Sequence, residues 1–179
     1  EIITGLIWVS VFSPRNGLPN WALTPIFPDV ASTAWLADKN LVLYAIFLVI
    51  SWKYFGFHML LYMAGLQNID KDIEDSARVS GATEMQVLRF ITLPLMGNTI
   101  RLSIYLSVLG AIQQFILVWV LTTGGPANAS EVIVTFLYKY GIQRMQLGFG
   151  AAVAVILLVI TLTFSLIYQR YVLREDYNS

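Results

Sequence analysis

The run LSIYLSVLGAIQQFILVWVLT, Leu102 to Thr122, carries no formal charge, and neither does any other residue between Arg101 and Glu131. An α-helix rises about 1.5 Å per residue, so 21 uncharged residues reach across a hydrocarbon core of about 30 Å. The run therefore predicts a membrane span over 102–122. A second follows over 147–169, rich in Ala, Val, Ile and Leu, with Arg170 and Arg174 beyond it where headgroups would receive them. A third reaches from about Leu41 to Leu66, although Lys53 and His58 interrupt it. The apolar run Ile2 to Phe12 is too short to cross a bilayer and is closed by the turn cluster Ser13-Pro14-Arg15-Asn16-Gly17. It reads as the outer end of a partial span over 1–12, in a chain whose natural N-terminus is missing. The expectation is an all-α membrane protein: one polytopic helical bundle over 1–179.

Composition supports that class. Of 179 residues, 57% are hydrophobic and 12% charged, against about 25% charged in an average soluble domain. Eleven Lys and Arg balance eleven Asp and Glu, leaving no basic surplus for a nucleic-acid backbone. Cysteine is absent and His58 is the one histidine, which excludes disulfide frameworks, thiol chemistry and Cys/His zinc sites. No metal site is expected.

Alternation of the spans places 67–101 and the C-terminal tail on one side, with 13–40 and 123–146 on the other. The first side holds Lys71, Arg78, Arg89, Arg101, Arg170 and Arg174, the second Arg15, Lys39, Lys139 and Arg144. That excess points the first side toward the cytoplasm. The outer loop 13–40 carries Pro14, Pro19, Pro25 and Pro28.

Between the spans, 67–101 reads as a helical hairpin. Asp70, Asp72, Glu74 and Asp75 crowd one end of a short helix, Arg78 lies near the other, and Gly81 follows. Ile69, Ile73 and Ala77 are four apart and form an apolar stripe. Thr83-Glu84-Met85-Gln86 fits a capping box that opens a second helix, with Met85, Leu88 and Ile91 on one face until Pro94 ends it. On these features alone, an amphipathic hairpin at the membrane surface without a partner fits equally well.

Residue identities add a resemblance. Asp75-Ser76-Ala77-Arg78-Val79-Ser80-Gly81, followed by Ile91-Thr92-Leu93-Pro94, resembles the EAA loop of ABC importer permeases at every fixed spacing. Asp75 stands for the usual Glu, Ser76 for the first Ala, and Asp70 where many relatives have Pro. Trp52-Lys53-Tyr54, Ala64-Gly65-Leu66-Gln67, Leu121-Thr122-Thr123-Gly124-Gly125-Pro126 with Glu131, and Gly148-Phe149-Gly150-Ala151-Ala152 extend the likeness to MalF-type permeases of carbohydrate ABC importers.

The resemblance implies a type I ABC importer permease fold in the bacterial inner membrane. It also implies a hairpin that seats in a cytosolic ATPase through Asp75, Ser76, Ala77, Gly81, Ala82, Met85, Leu88, Ile91, Leu93 and Pro94. No G-x-x-x-x-G-K-[ST] occurs, so ATP and Mg would be bound by partner subunits and this chain would be no enzyme. The implied partners are a second homologous permease subunit, two cytosolic ATPases, an extracytoplasmic sugar-binding protein and the lipid bilayer. The segment from Gly124, Gly125 and Pro126 to Glu131 resembles the outer lip that meets the binding protein.

Within the spans, Gln113 and Gln114 place two amides in hydrocarbon, where they need partners or a wet pathway. Sugars suit such donors and acceptors. Phe115, Trp119 and Tyr105 share that run and could stack on sugar rings, or serve as packing. Many relatives have Asp where this chain has Ile116. Lys53, charged at membrane depth, is a pathway candidate or an ion-pair partner; His58 lies about 140° further round the helix and makes no pair with it. Glycerol-phosphate and polyols remain alternative substrates, though a phosphate would recruit Arg or several Lys. An ion-coupled secondary transporter is a rival, but the three full spans lack Asp and Glu.

Overall fold

The computed structural model describes residues 1–26 and 33–173; Pro28 and Arg174 lie outside them. The elements in chain order are α1 (Ile2–Val11), α2 (Leu18–Leu23), α3 (Val42–Gln67), α4 (Lys71–Val79) and α5 (Glu84–Val87). After a π-helical turn over Leu88–Thr92 come α6 (Leu93–Leu95), α7 (Gly97–Ile112), α8 (Ile116–Thr122) and α9 (Ile133–Leu137). A second π turn, Tyr138–Gln143, leads to α10 (Leu147–Tyr168), which ends in a third over Gln169–Leu173. Two described helices, Val42–Gln67 and Leu147–Val172, are each 26 residues long and apolar enough to cross a bilayer. At about 1.5 Å per residue each exceeds the hydrocarbon thickness. Lys53 and His58 leave α3 unbroken.

Two expectations are corrected. The span predicted over 102–122 is not one helix: α7 stops at Ile112 and α8 starts at Ile116, with Gln113, Gln114 and Phe115 between them. Pro94 does not end the second hairpin helix either. The π turn before it lets Leu93 N–H reach the Leu88 carbonyl, and Pro94 falls in the first turn of α6, where its missing N–H costs nothing. The chain bends afterwards, by 64° between Glu84–Leu95 and Gly97–Ile112. The outer loop 13–40 contains α2, with Pro19 in its first turn.

The chain forms two compact units. The first comprises Glu1–Lys53 and Ala111–Val159. Its core joins Phe12 to Val42, Ala45, Ile46 and Val49 of α3 and to Leu117, Val118 and Leu121 of α8. The α3 positions recur at helical spacing and face inward, while Leu43, Tyr44, Phe47 and Trp52 point outward, as lipid requires. Gly5 lets α1 approach α8, since a Cβ there would come within 2.6 Å of Val120 Cγ1. Asn20, 3% exposed, ties the outer loop together: its amide donates to the carbonyls of Pro14 (3.0 Å) and Thr33 (3.1 Å), and its oxygen accepts from the Trp35 indole.

The second unit comprises Tyr54–Gly110 with the chain from Ile160 onward. Here hydrogen bonds and small residues, rather than apolar burial, join the helices. Tyr62 donates to Ser103 at 2.8 Å, and His58 lies between Ser103 (2.9 Å) and Ser107 (3.2 Å). Tyr105 bonds Ser165 at 2.7 Å, and Tyr168 donates to the Arg101 carbonyl at 2.7 Å. This is the membrane solution, because apolar surface gains nothing by leaving lipid for another helix. Gly65 faces Thr99 of α7 so closely that a Cβ would fall 2.5 Å from the threonine hydroxyl. Gly65→Leu should destabilise the protein by about 1–3 kcal/mol through overpacking; thermal unfolding in detergent checks this, and an unchanged transition would refute the contact.

Candidate functional site

The hairpin of α4 and α5 is assembled from local rules. Asp70 caps α4, its side chain accepting from Asp72 N–H at 3.0 Å, and Asp72 and Glu74 complement the N-terminal dipole. Gly81 carries φ +90°, a conformation that a side chain resists. Thr83 and Gln86 form the capping box of α5. Arg78 then gathers three carboxylates. Its Nε and one terminal nitrogen contact Glu84 at 2.8 and 3.2 Å, the other reaches Asp75 at 2.9 Å, and Glu74 lies 3.5 Å away. The bonds from Glu84 and then Asp75 push the Arg78 guanidinium above its ordinary range, and Arg78 holds the Glu84 carboxyl below the usual carboxylate range. Glu74 also accepts from the Thr92 hydroxyl at 2.9 Å.

These polar links leave apolar side chains outside. Val79 is 89% exposed and Met85 and Phe90 each 70%, while Ser76, Gly81 and Leu88 are also exposed. Ala77, Ala82 and Ile91 are half-buried; Leu93 and Pro94 sit in exposed α6. Val79 and Phe90 escaped the sequence reading because neither belongs to a motif position or an apolar stripe. A surface of this kind, small at the turn and apolar on its rim, has the character of a docking element.

The second candidate lies at the break between α7 and α8. Gln113 is exposed and Gln114 is buried, 6% exposed, and no hydrogen bond reaches the Gln114 amide nitrogen. Unwound backbone at membrane depth is tolerated only where protein buries it or water lines it. Phe115 and Trp119 stack with centroids 5.8 Å apart, and Tyr138 closes on both, at 5.3 and 4.8 Å. Tyr138 was not predicted; it comes from a π turn distant in sequence, and no local spacing announces it. Tyr105 belongs to the other unit, where it packs on Phe164 and Tyr168 and bonds Ser165. Lys53 pairs with Glu1.

The third candidate is the outer turn. Thr123, Gly124, Ala127 and Asn128 all have positive φ, between 48° and 85°. Backbone of this kind persists only where the surroundings impose it. Ser130, 2% exposed, donates to the Gly125 carbonyl at 2.6 Å and lies 2.7 Å from the Thr122 hydroxyl. Glu131 and Lys139 form an ion pair at 3.1 Å, both largely buried, and a Cβ on Gly124 would meet that lysine nitrogen at 3.0 Å. A cavity of about 480 Å³ opens beside the turn, lined by Phe12, Pro14, Leu36, Leu121, Thr123 and Pro126. Asn128-Ala129-Ser130, which matches the Asn-x-Ser glycosylation pattern, lies in this turn with its serine hydroxyl engaged.

Comparison with known proteins gives this geometry a family. The chain is 31% identical over 169 residues to the "Probable ABC transporter permease protein YurN" of Bacillus subtilis, covering 94% of this chain and 58% of that one. It is 32% identical over 167 residues to the "Diacetylchitobiose uptake system permease protein NgcF" of Streptomyces coelicolor, covering 92% and 47%. A chain in the crystal structure of a bacterial ABC transporter importing the acidic polysaccharide alginate superposes with a TM-score of 0.80 at 27% identity, over 96% of this chain and 61% of that one. The chain therefore spans roughly half of the length of these relatives. Over residues 2–175 it matches the family described as binding-protein-dependent transport system inner membrane component, and it belongs to that family.

Proposed function

We propose that this chain is the channel-forming part of a permease subunit in an ATP-driven sugar importer. An extracytoplasmic binding protein delivers the sugar, and two cytosolic ATPases, holding ATP and Mg, drive the exchange of inward and outward access. A second homologous permease subunit completes the pathway. The observation that carries this reading is the hairpin: a capped, charge-braced element with exposed Val79, Met85 and Phe90, joined to α7 through a 64° bend at Met96. ATPase closure acts on the hairpin, and α7 carries the displacement into the membrane.

A neutral saccharide suits the break at 113–115. The buried Gln114 amide offers a donor, Gln113 a second amide, and the Phe115, Trp119 and Tyr138 rings an apolar face for a pyranose. The relatives named for diacetylchitobiose and alginate support a saccharide. Glycerol-phosphate is disfavoured because Lys53, the one charge of α3, is engaged by Glu1. A polyol would serve as a smaller ligand of the same chemistry. The outer turn from Gly124 to Glu131 supplies a rigid contact for the binding protein. The carboxylate-free run 102–122 and helices α3 and α10 speak against ion coupling.

Two outcomes are expected. In the assembled transporter, Gly81→Val or Ala77→Glu should leave membrane insertion intact while releasing the ATPase or abolishing substrate-stimulated ATP hydrolysis. Retention of a fully coupled ATPase by both variants would overturn the hairpin's role. Gln114→Leu removes an amide nitrogen that has no partner, so thermal stability should hold or rise by about 1 kcal/mol, whereas uptake of radiolabelled neutral oligosaccharide should fall at least about tenfold. Unchanged uptake would remove Gln114 from the pathway.

A further inference from the structure

We infer that Glu74 and Thr92 form a strut that makes the hairpin and the foot of α7 one lever, and that both are positioning residues for coupling. The inference rests on the proposed function above and deepens it.

The two arms are bonded at two places. At the turn, Arg78 grips Glu84, but both side chains are exposed, and exposed ion pairs hold weakly. At the base, the Thr92 hydroxyl donates to the Glu74 carboxylate at 2.9 Å, with Thr92 only 5% exposed and the Glu74 side chain 23%. A charge-assisted bond partly shielded from water is the firmer of the two. Arg78 connects them, since its guanidinium touches Glu84 and also lies 3.5 Å from Glu74.

The place of Thr92 gives the bond its mechanical meaning. Thr92 is the last residue of the π turn, two before Pro94, and its carbonyl accepts from Met96 N–H at 3.0 Å, at the point where the chain bends by 64° into α7. A push on α4 thus reaches the bend directly through Glu74. Without the strut, the side-chain hydrogen bonds left between α4 and the following helix, among the described residues, would be those from Arg78 to Glu84. Satisfaction of polar groups does not require the contact. A helical threonine hydroxyl can bond the carbonyl four residues earlier, and the Glu74 carboxylate already has Arg78 within 3.5 Å. The hydroxyl instead crosses to a residue 18 positions away.

The test uses the reconstituted full transporter, with its ATPases and binding protein, and compares Thr92→Val, Thr92→Ser, Glu74→Ala and the Thr92→Val/Glu74→Ala double variant. Thr92→Val keeps the shape and removes the hydroxyl. The expected result is retention of the ATPase and continued ATP hydrolysis, with sugar transported per ATP falling about tenfold, the factor for losing one charged hydrogen bond. Thr92→Ser should restore coupling, and the double variant should be no worse than either single one, because one bond is lost in all three. Wild-type transport per ATP in both Thr92→Val and Glu74→Ala would overturn the strut while leaving the importer reading intact. Equal losses in Thr92→Ser and Thr92→Val would also overturn it, since a hydroxyl that acts should rescue. If the wild-type chain neither retains an ATPase nor stimulates it, the importer reading itself fails, and the strut with it.

Discussion

A peptide group in hydrocarbon has no water to bond, so each N–H and C=O must find its partner within the protein or cost several kcal/mol. Helices α3 and α10 meet that demand internally along 26 residues each, with the π turn included in the second. Their side chains are then free to face lipid, and most do: Phe47, Phe55 and Leu60 on α3, and Val155, Leu158 and Leu162 on α10, are all more than half or close to half exposed. Outside the core around Phe12, Val42 and Leu117, what brings helices together is not apolar burial. It is close backbone approach at Gly5, Gly65 and the Gly141–Gly150 contact, where a Cβ on either glycine would fall less than 3 Å from the other's Cα, together with the tyrosine and serine bonds of the second unit. The same demand gives the break at 113–115 its significance. Backbone leaves helical pairing only where something repays it, and there the chain offers a buried amide without a partner beside three aromatic rings.

Much of this was legible in sequence because the rules involved are local. Absence of charge over 147–169 marked the long apolar helix α10, Thr83-x-x-Gln86 marked a cap, and Gly81 marked a turn. The features that were missed depend on distant residues. Neither glycine nor proline signals the break at Gln113 to Phe115; both glutamines are good helix formers, and only the surroundings unwind them. Pro94 misled for the complementary reason. Its rule concerns a regular helix, and the π turn ending at Thr92 had already changed the hydrogen-bond register. Asn20 and Trp35 pin the outer loop through bonds across many residues, and Tyr138 joins Phe115 and Trp119 from another element. No periodicity carries such information.

The outer turn and the hairpin solve the same problem in opposite ways. Each must hold a fixed shape outside the spans. The outer turn does so with strained backbone braced by buried side chains. Residues Thr123, Ala127 and Asn128 accept left-handed backbone costing about 1–3 kcal/mol each, and the Ser130, Thr122 and Glu131–Lys139 contacts over-determine it.

The hairpin has too little mass for that. Its arms are nine residues in α4 and twelve in the helical run Glu84–Leu95, no longer than the 12–15 at which an isolated helix is even marginal. A conventional core would consume the few apolar side chains it has. Caps at Asp70 and Thr83, the Arg78 cluster and the Glu74–Thr92 bond hold the arms with polar groups instead, and Val79, Met85 and Phe90 stay available for a partner. Because those bonds are directional, the arms keep one geometry rather than sliding as an apolar interface would. A surface that docks by apolar contact and resists deformation by polar contact can transmit force, which is what the proposed coupling role requires.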